Sequence, residues 1–172
     1  TAIWADLDKD GWDDLIVAGD WMPLSVFFNK KGKLERSKTD GLEKTEGWWS
    51  SLAAADLDGD GDLDFVAGNY GLNSKWAASV EKPVRLYAAD FDKNETMDQL
   101  LTYDYRGTEL MFASRDEMAA QIPSIKKKFL KYSDYSKAKA ADFFGQKTLD
   151  VAQKWQVCCL ASVWVENLGG GK

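Results

Sequence analysis

A chain of 172 residues with 45% hydrophobic and 13% aromatic content can bury a sizeable core, which excludes a disordered chain. Its net charge of -6 argues against a nucleic-acid partner, whose phosphates require a basic surface. The absence of histidine removes Ser-His-Asp and Cys-His nucleophilic sites, histidine acid–base catalysis and the ordinary zinc sites together.

In chain order, the first expected strand, Ala2 to Ala5, runs into an aspartate ladder at 6–14 that reads Asp6-Leu-Asp8-Lys-Asp10-Gly11-Trp-Asp-Asp14, and Leu15 to Ala18 leaves it. Strands follow at Leu24 to Phe28 and Leu34 to Arg36, joined by the turn residues Asn29-Lys-Lys-Gly32. Ser50 to Ala55 enters a second ladder at 56–64, Asp56-Leu-Asp58-Gly-Asp60-Gly61-Asp-Leu-Asp64, and Phe65 to Ala67 leaves it. Asn69 to Trp76 reads as an excursion rather than a strand. Val84 to Ala89 enters the third ladder at 90–98, Asp90-Phe-Asp92-Lys-Asn94-Glu95-Thr-Met-Asp98, followed by strands at Gln99 to Tyr105 and Glu109 to Phe112.

Residues 114–146 change character. Ser114 with Glu117 forms a capping box that opens a helix, Pro123 begins a second at its first position, and Lys137 to Phe144 makes a third that Gly145 closes. The segment reads as a helical insertion that the β structure does not need for stability. Its surroundings, 113–155, carry a net +4 against -10 for the remainder. The strand pattern resumes from Val157 to Val165, where Cys158 and Cys159 point to opposite faces and are expected as two buried thiols.

The ladders carry the chemistry. Alternate oxygens at positions 1, 3 and 5, a main-chain carbonyl at 7 and a carboxylate at 9 can wrap a hard cation, and calcium suits such flexible all-oxygen cages better than magnesium. The candidate ligands are Asp6, Asp8, Asp10, the carbonyl of Trp12 and Asp14 in the first loop. In the second they are Asp56, Asp58, Asp60, the carbonyl of Asp62 and Asp64. In the third they are Asp90, Asp92, Asn94, the carbonyl of Thr96 and Asp98. Up to three Ca2+ ions are expected, and their charge would offset the formal -6. An EF-hand requires glutamate at position 12 and flanking helices; Val17, Ala67 and Leu101 stand there, inside strands, so that reading fails. The third loop is expected to bind more weakly, since position 5 is the neutral Asn94 and position 6 is Glu95 where the others have Gly11 and Gly61. Asn94-Glu95-Thr96 is a formal glycosylation sequon, but Asn94 sits at a ligand position.

Strand, calcium loop, strand, with small residues ending each entering strand (Ala5, Ala54-Ala55, Ala88-Ala89), resembles the FG-GAP and VCBS repeats of integrin α-subunit heads and bacterial surface proteins. Val66-Ala-Gly-Asn69 and Glu166-Asn167-Leu-Gly-Gly-Gly171 match the VCBS type. The stretch from Pro83 to Asp116 is similar to large secreted or lipid-anchored proteins of Bacteroidota related to the cartilage-acidic-protein and UnbV group. The resemblance implies an all-β fold of β-propeller blades. Here that is a partial propeller of about three repeats over 1–172, with the helical insertion 114–146 inside a blade. It also implies a non-enzymatic, calcium-stabilised segment of a longer secreted or cell-surface polypeptide, on the bacterial outer-membrane surface, acting in binding or adhesion to an extracellular protein or glycan. The alternative is a non-catalytic propeller region of an extracellular carbohydrate-active enzyme. No stretch approaches the 18 apolar residues of a membrane helix. Trp21, Trp48, Trp49, Tyr70 and Trp76 are either a docking platform or filling between blades. The run Lys126-Lys127-Lys128, with Lys131, Lys137 and Lys139, is either an acidic-partner or lipid contact or a solvated helix face.

Overall fold

Each ladder is a run of aspartate and turn residues that cannot extend a sheet, bracketed by small and β-branched residues that can. The computed structural model describes residues 1–38 and 41–170, and in it every ladder is the connection of an antiparallel hairpin. β1 (Ala2–Ala5) and β2 (Asp14–Val17) flank the first, with Ala5 opposite Asp14. After the short β3 (Asp20–Met22), β4 (Ser25–Lys30) pairs with β2 and β5 (Lys33–Arg36) pairs with β4, giving a four-stranded meander. Lys31 and Gly32, both left-handed (φ 56° and 92°), make the two-residue turn between β4 and β5. β5 is exposed throughout and charged, which protects that sheet edge.

β6 (Gly47–Trp48) pairs with β3, and β7 (Ser51–Ala55) and β8 (Asp64–Gly68) flank the second ladder, with Ala55 opposite Asp64. At Gly68 a Cβ would meet the Ser51 hydroxyl, which would have to turn away. β9 (Val84–Ala89) and β10 (Asp98–Tyr105) flank the third, with Ala89 opposite Asp98, and β11 (Thr108–Met111) continues the meander through Arg106-Gly107.

Five helices follow: α1 (Arg115–Gln121), α2 (Ser124–Lys128), α3 (Tyr132–Tyr135), α4 (Ala140–Phe144) and α5 (Gln146–Val151). The capping box forms as expected: the Ser114 N–H donates to Glu117 Oε2 at 2.7 Å and the Glu117 N–H to Ser114 Oγ at 3.3 Å. Pro123 caps α2 instead of opening it, and Gly145 (φ 84°) closes α4. α3 and α5, of four and six residues, have no periodic apolar face long enough to read from sequence.

The strand expected at Val157 to Val165 is two strands in two sheets. β12 (Gln153–Val157) joins the edge of β9, while β13 (Val163–Val165) pairs with β8, Val163 opposite Ala67 and Val165 opposite Phe65. The cysteines lie between them rather than on a strand. Both donate their N–H to the Glu46 carbonyl, and neither is in a disulfide, Cys158 being buried and Cys159 half-buried.

The chain accordingly forms two compact units, Thr1–Lys75 with Val157–Lys172, and Trp76–Gln156. The second is inserted in the chain between β8 and β13, so the second ladder's sheet is completed by residues from beyond the insertion. The first unit buries Leu7, Ile16, Leu24, Trp49, Phe65 and Ala67 as its core. In the second unit the helices do not stand aside as an excursion. Met118, Ile122, Ile125, Phe129, Tyr135, Phe143 and Leu149 share one core with Tyr87, Leu100 and Met111 of the sheet. Binary patterning hid this, because each helix contributes only one to three apolar positions. The fold is mostly β, in several antiparallel sheets, and the described residues do not form a closed propeller.

Candidate metal centres

Every loop winds through the same backbone path. Position 4 is left-handed in all three (Lys9 φ 57°, Gly59 φ 82°, Lys93 φ 63°), and so is position 6 (Gly11 φ 88°, Gly61 φ 90°, Glu95 φ 67°). These turns aim main-chain N–H groups back at the first aspartate. Asp6 accepts from the N–H groups of Asp10 and Gly11 at 3.1 and 3.0 Å, Asp56 from Gly59 and Gly61 at 2.8 and 3.1 Å, and Asp90 from Asn94 and Glu95 at 3.0 and 2.9 Å. The position 5 side chain accepts from the N–H of position 7: Asp10 from Trp12, Asp60 from Asp62 and Asn94 from Thr96.

The position 9 aspartates anchor the loops from below. Asp14, Asp64 and Asp98 are buried, and each uses Oδ2 to accept the N–H of position 2, from Leu7 at 3.0 Å, Leu57 at 3.1 Å and Phe91 at 2.9 Å. Their Oδ1 atoms are held by residues that the sequence did not single out as site residues. The Asn29 N–H donates to Asp14 at 2.8 Å, the Asn167 N–H to Asp64 at 2.9 Å, and the Gln121 side chain to Asp98 at 3.2 Å. Asn29 and Asn167 are structural equivalents. Each donates its amide to the carbonyl of position 8 (Asp13 or Leu63), and each accepts from a glycine N–H, of Gly32 or Gly169. The parallel between Asn29-Lys-Lys-Gly32 and Asn167-Leu-Gly169 was the available signal. Of the Glu166-Asn167-Leu-Gly-Gly-Gly171 run, Gly171 lies outside the described residues. For Gln121, on α1, no sequence signal existed.

The outcome is three clusters of convergent carboxylates, Asp6 with Asp8 and Asp10, Asp56 with Asp58 and Asp60, and Asp90 with Asp92 and Asp98, each with ligand atoms within 4.8 Å of one another. Asp14 and Asp64 stand outside the clusters of their own loops, whereas Asp98 stands inside its own. Glu95 is not in the third cluster.

Within the loops, two carboxylate oxygens, Asp8 Oδ1 and Asp92 Oδ1, are buried with no hydrogen-bond partner. Both belong to position 3. A buried charged oxygen without a donor is costly, and a hard cation held by its neighbours in the cluster would satisfy it, so the donor set fits calcium. Lysines meet part of the remaining charge. The Lys30 ammonium pairs with Asp8 Oδ2 and lies 3.4 Å from Asp10 Oδ2, and the Lys9 ammonium pairs with Asp62. Hydrogen bonding to these carboxylates holds both ammonium groups above the usual lysine range. Burial pushes the Asp14 carboxyl up, against the pull of the Asn29 and Leu7 N–H groups; at Asp64 the Asn167 N–H prevails over burial and holds the carboxyl low.

The aromatic residues divide. Trp49 is buried, its indole N–H donating to the Thr45 carbonyl at 2.9 Å, and Trp76 packs on Phe112 and Tyr103. Trp21, Trp48 and Tyr70 form an edge-to-face ladder with centroids 5.4 and 5.3 Å apart, half-buried at the first two and exposed at Tyr70. Of the lysine run, Lys126 and Lys127 are exposed, and Lys128 donates to the Phe143 carbonyl at 2.5 Å.

Residues 6–67 match the model of the FG-GAP-like repeat family. The span begins on the first aspartate of the first loop and ends on Ala67 in β8. No curated protein and no solved structure matches the chain. Among the described residues, no helix is long and apolar enough to cross a membrane.

Proposed function

We propose that this chain is a calcium-stabilised FG-GAP-type module of a secreted or surface protein, acting in binding or adhesion and not in catalysis. The observation that carries the metal reading is the pair of buried, partnerless oxygens, Asp8 Oδ1 and Asp92 Oδ1, set inside clusters of convergent carboxylates. Asp6, Asp8, Asp10 and the Trp12 carbonyl would hold the first ion, with Asp14 bracing the loop from below. Asp56, Asp58, Asp60 and the Asp62 carbonyl would hold the second over Asp64, and Asp90, Asp92, Asn94, the Thr96 carbonyl and Asp98 the third. Calcium, when bound, supplies the positive charge that lets these carboxylates stay together.

The loops themselves do the positioning. Left-handed residues at positions 4 and 6 turn the chain so that carboxylates face inward while N–H groups satisfy their outer lone pairs. Support for an extracellular setting comes from the FG-GAP-like repeat, which is typical of extracellular proteins, and from calcium loops of this kind suiting the millimolar extracellular pool. The half-exposed Trp21–Trp48–Tyr70 ladder is the surface we assign to ligand contact, since amphipathic aromatics dominate binding hot spots.

Thermal melting in millimolar calcium and in chelator tests the metal reading. A ligand at roughly 100 times its Kd stabilises by about 2.7 kcal/mol per site, so the midpoint is expected to rise by several degrees with calcium. An unchanged midpoint would sink it.

A further inference from the structure

Two links, different in kind, join the first and second loops. The Asn167 side-chain amide donates one hydrogen to the Leu7 carbonyl at 2.7 Å and the other to the Leu63 carbonyl at 3.2 Å, while its main-chain N–H holds Asp64 Oδ1 at 2.9 Å. Leu7 lies between the candidate ligands Asp6 and Asp8, and Leu63 between Asp62 and Asp64. A single buried amide therefore spans both cages. The second link is ionic: Lys9, at position 4 of the first loop, places its ammonium on the carboxylate of Asp62, at position 7 of the second.

We propose that the first and second loops bind calcium cooperatively, as one coupled pair, with Asn167 as the mechanical link and Lys9 as the electrostatic one. This inference rests on the calcium reading above. Both hydrogens of the Asn167 amide are used, and it is buried, so water cannot replace either bond if one loop moves. Fixing Asp6 and Asp8 around an ion fixes the Leu7 carbonyl between them, which fixes Asn167, which in turn holds Leu63 and Asp64 in place. The second ion then meets a loop whose ordering cost has already been met, which is positive coupling without a change of fold.

Lys9 keeps electrostatics from cancelling that gain. It contributes a positive charge at the seam of two acidic clusters while both are empty. It also remains paired when they fill, because the pattern takes the main-chain carbonyl of Asp62 as ligand and leaves its carboxylate free for the ammonium. Lys30 differs, since it sits on Asp8 and Asp10, two ligand positions, where an ion must displace it.

The test is calorimetric calcium titration of the full chain with the third loop disabled by Asp92→Asn, leaving the two linked sites. The expected isotherm has a Hill coefficient above 1, and disabling either loop as well, by Asp8→Asn or Asp58→Asn, weakens the survivor by about five-fold or more. In an Asn167→Ala background the same losses are expected to shrink toward none. Lys9→Met is expected to reduce the coupling and Lys9→Arg to keep it. Non-cooperative binding, with each loop's affinity indifferent to the other, overturns the coupling and leaves the calcium reading standing. No binding to the unmodified chain overturns both. Should Asn167→Ala fail to fold by circular dichroism, the Hill coefficient and the two single-loop variants still decide the matter.

Discussion

At Glu95 the main chain takes φ 67°, a left-handed conformation that costs a residue with a Cβ roughly 1 to 2 kcal/mol. The first two loops spend glycine at this position, and the second also has glycine at position 4, where the first has Lys9 and the third Lys93. Strain at these two positions therefore rises from the second loop to the first to the third. The Glu95 side chain gives nothing evident in return: it is exposed and outside the cluster of Asp90, Asp92 and Asp98. Glu95→Gly is expected to raise the melting midpoint of the metal-free protein and to tighten calcium at the third loop, as melting and calorimetry would show. Weaker binding in that variant would mean that the carboxylate does reach the ion. Asn167 acts on the same scale. Asn167→Ala strips donors from two carbonyls and is expected to cost about 1 to 3 kcal/mol, read from denaturant unfolding. The parallel change at Asn29, whose amide serves one exposed carbonyl, should cost less.

Among the elements, the five helices and the sheet β11-β10-β9-β12 depend on one another. Phe143 packs against Phe129, tilted, and Tyr135, edge-to-face, with centroids 4.6 and 5.1 Å apart, inside the core that Leu100 and Met111 share. Phe143→Ala is expected to destabilise this unit by about 3 to 5 kcal/mol. Replacing 114–146 by a short linker should unfold it, as loss of its protected amides in hydrogen exchange would report; retained protection would restore the idea of a detachable insertion. The same core predicts alkaline sensitivity. Burial first, then Glu109, raises the Tyr87 hydroxyl to about 12, and burial raises Tyr135, whose hydroxyl donates to the Ala113 carbonyl at 2.7 Å. The native state then holds protons that the unfolded chain loses above pH 10. Stability is complete below that pH and falls as pH rises toward 12, by about 1.4 kcal/mol per pH unit for each such group. Melting midpoints between pH 9 and 11 should drop, and Tyr87→Phe should shallow the slope.

For the whole molecule, the chain order and the order of assembly differ. Residues 69–71 and 158–162 run side by side, with the Gly71 N–H on the Leu160 carbonyl at 2.8 Å and the Asn69 N–H on Ser162 Oγ at 3.1 Å. Joining residue 75 to residue 157 by a few glycines and serines is therefore expected to leave a cooperatively folding protein that keeps the first two metal loops. A non-cooperative melt of that chain would show that β8 and β13 do not pair without the inserted unit. The sequence alone determined the three hairpins, the Ser114 cap of α1, and the convergence of Asp6, Asp56, Asp90 and their neighbours. All of these are set within a few residues, by alternation along the flanking strands, by the helix cap or by left-handed turns inside the loops, where local backbone geometry leaves little choice. Tertiary structure alone decided that Val163–Val165 closes the sheet of the second ladder across the whole inserted unit, that Asn167 bridges two loops, and that the Gln121 side chain supplies the donor to Asp98 Oδ1 at the third. Such pairings join residues far apart in the chain, and shape and hydrogen-bond completion select them with no mark in the local pattern.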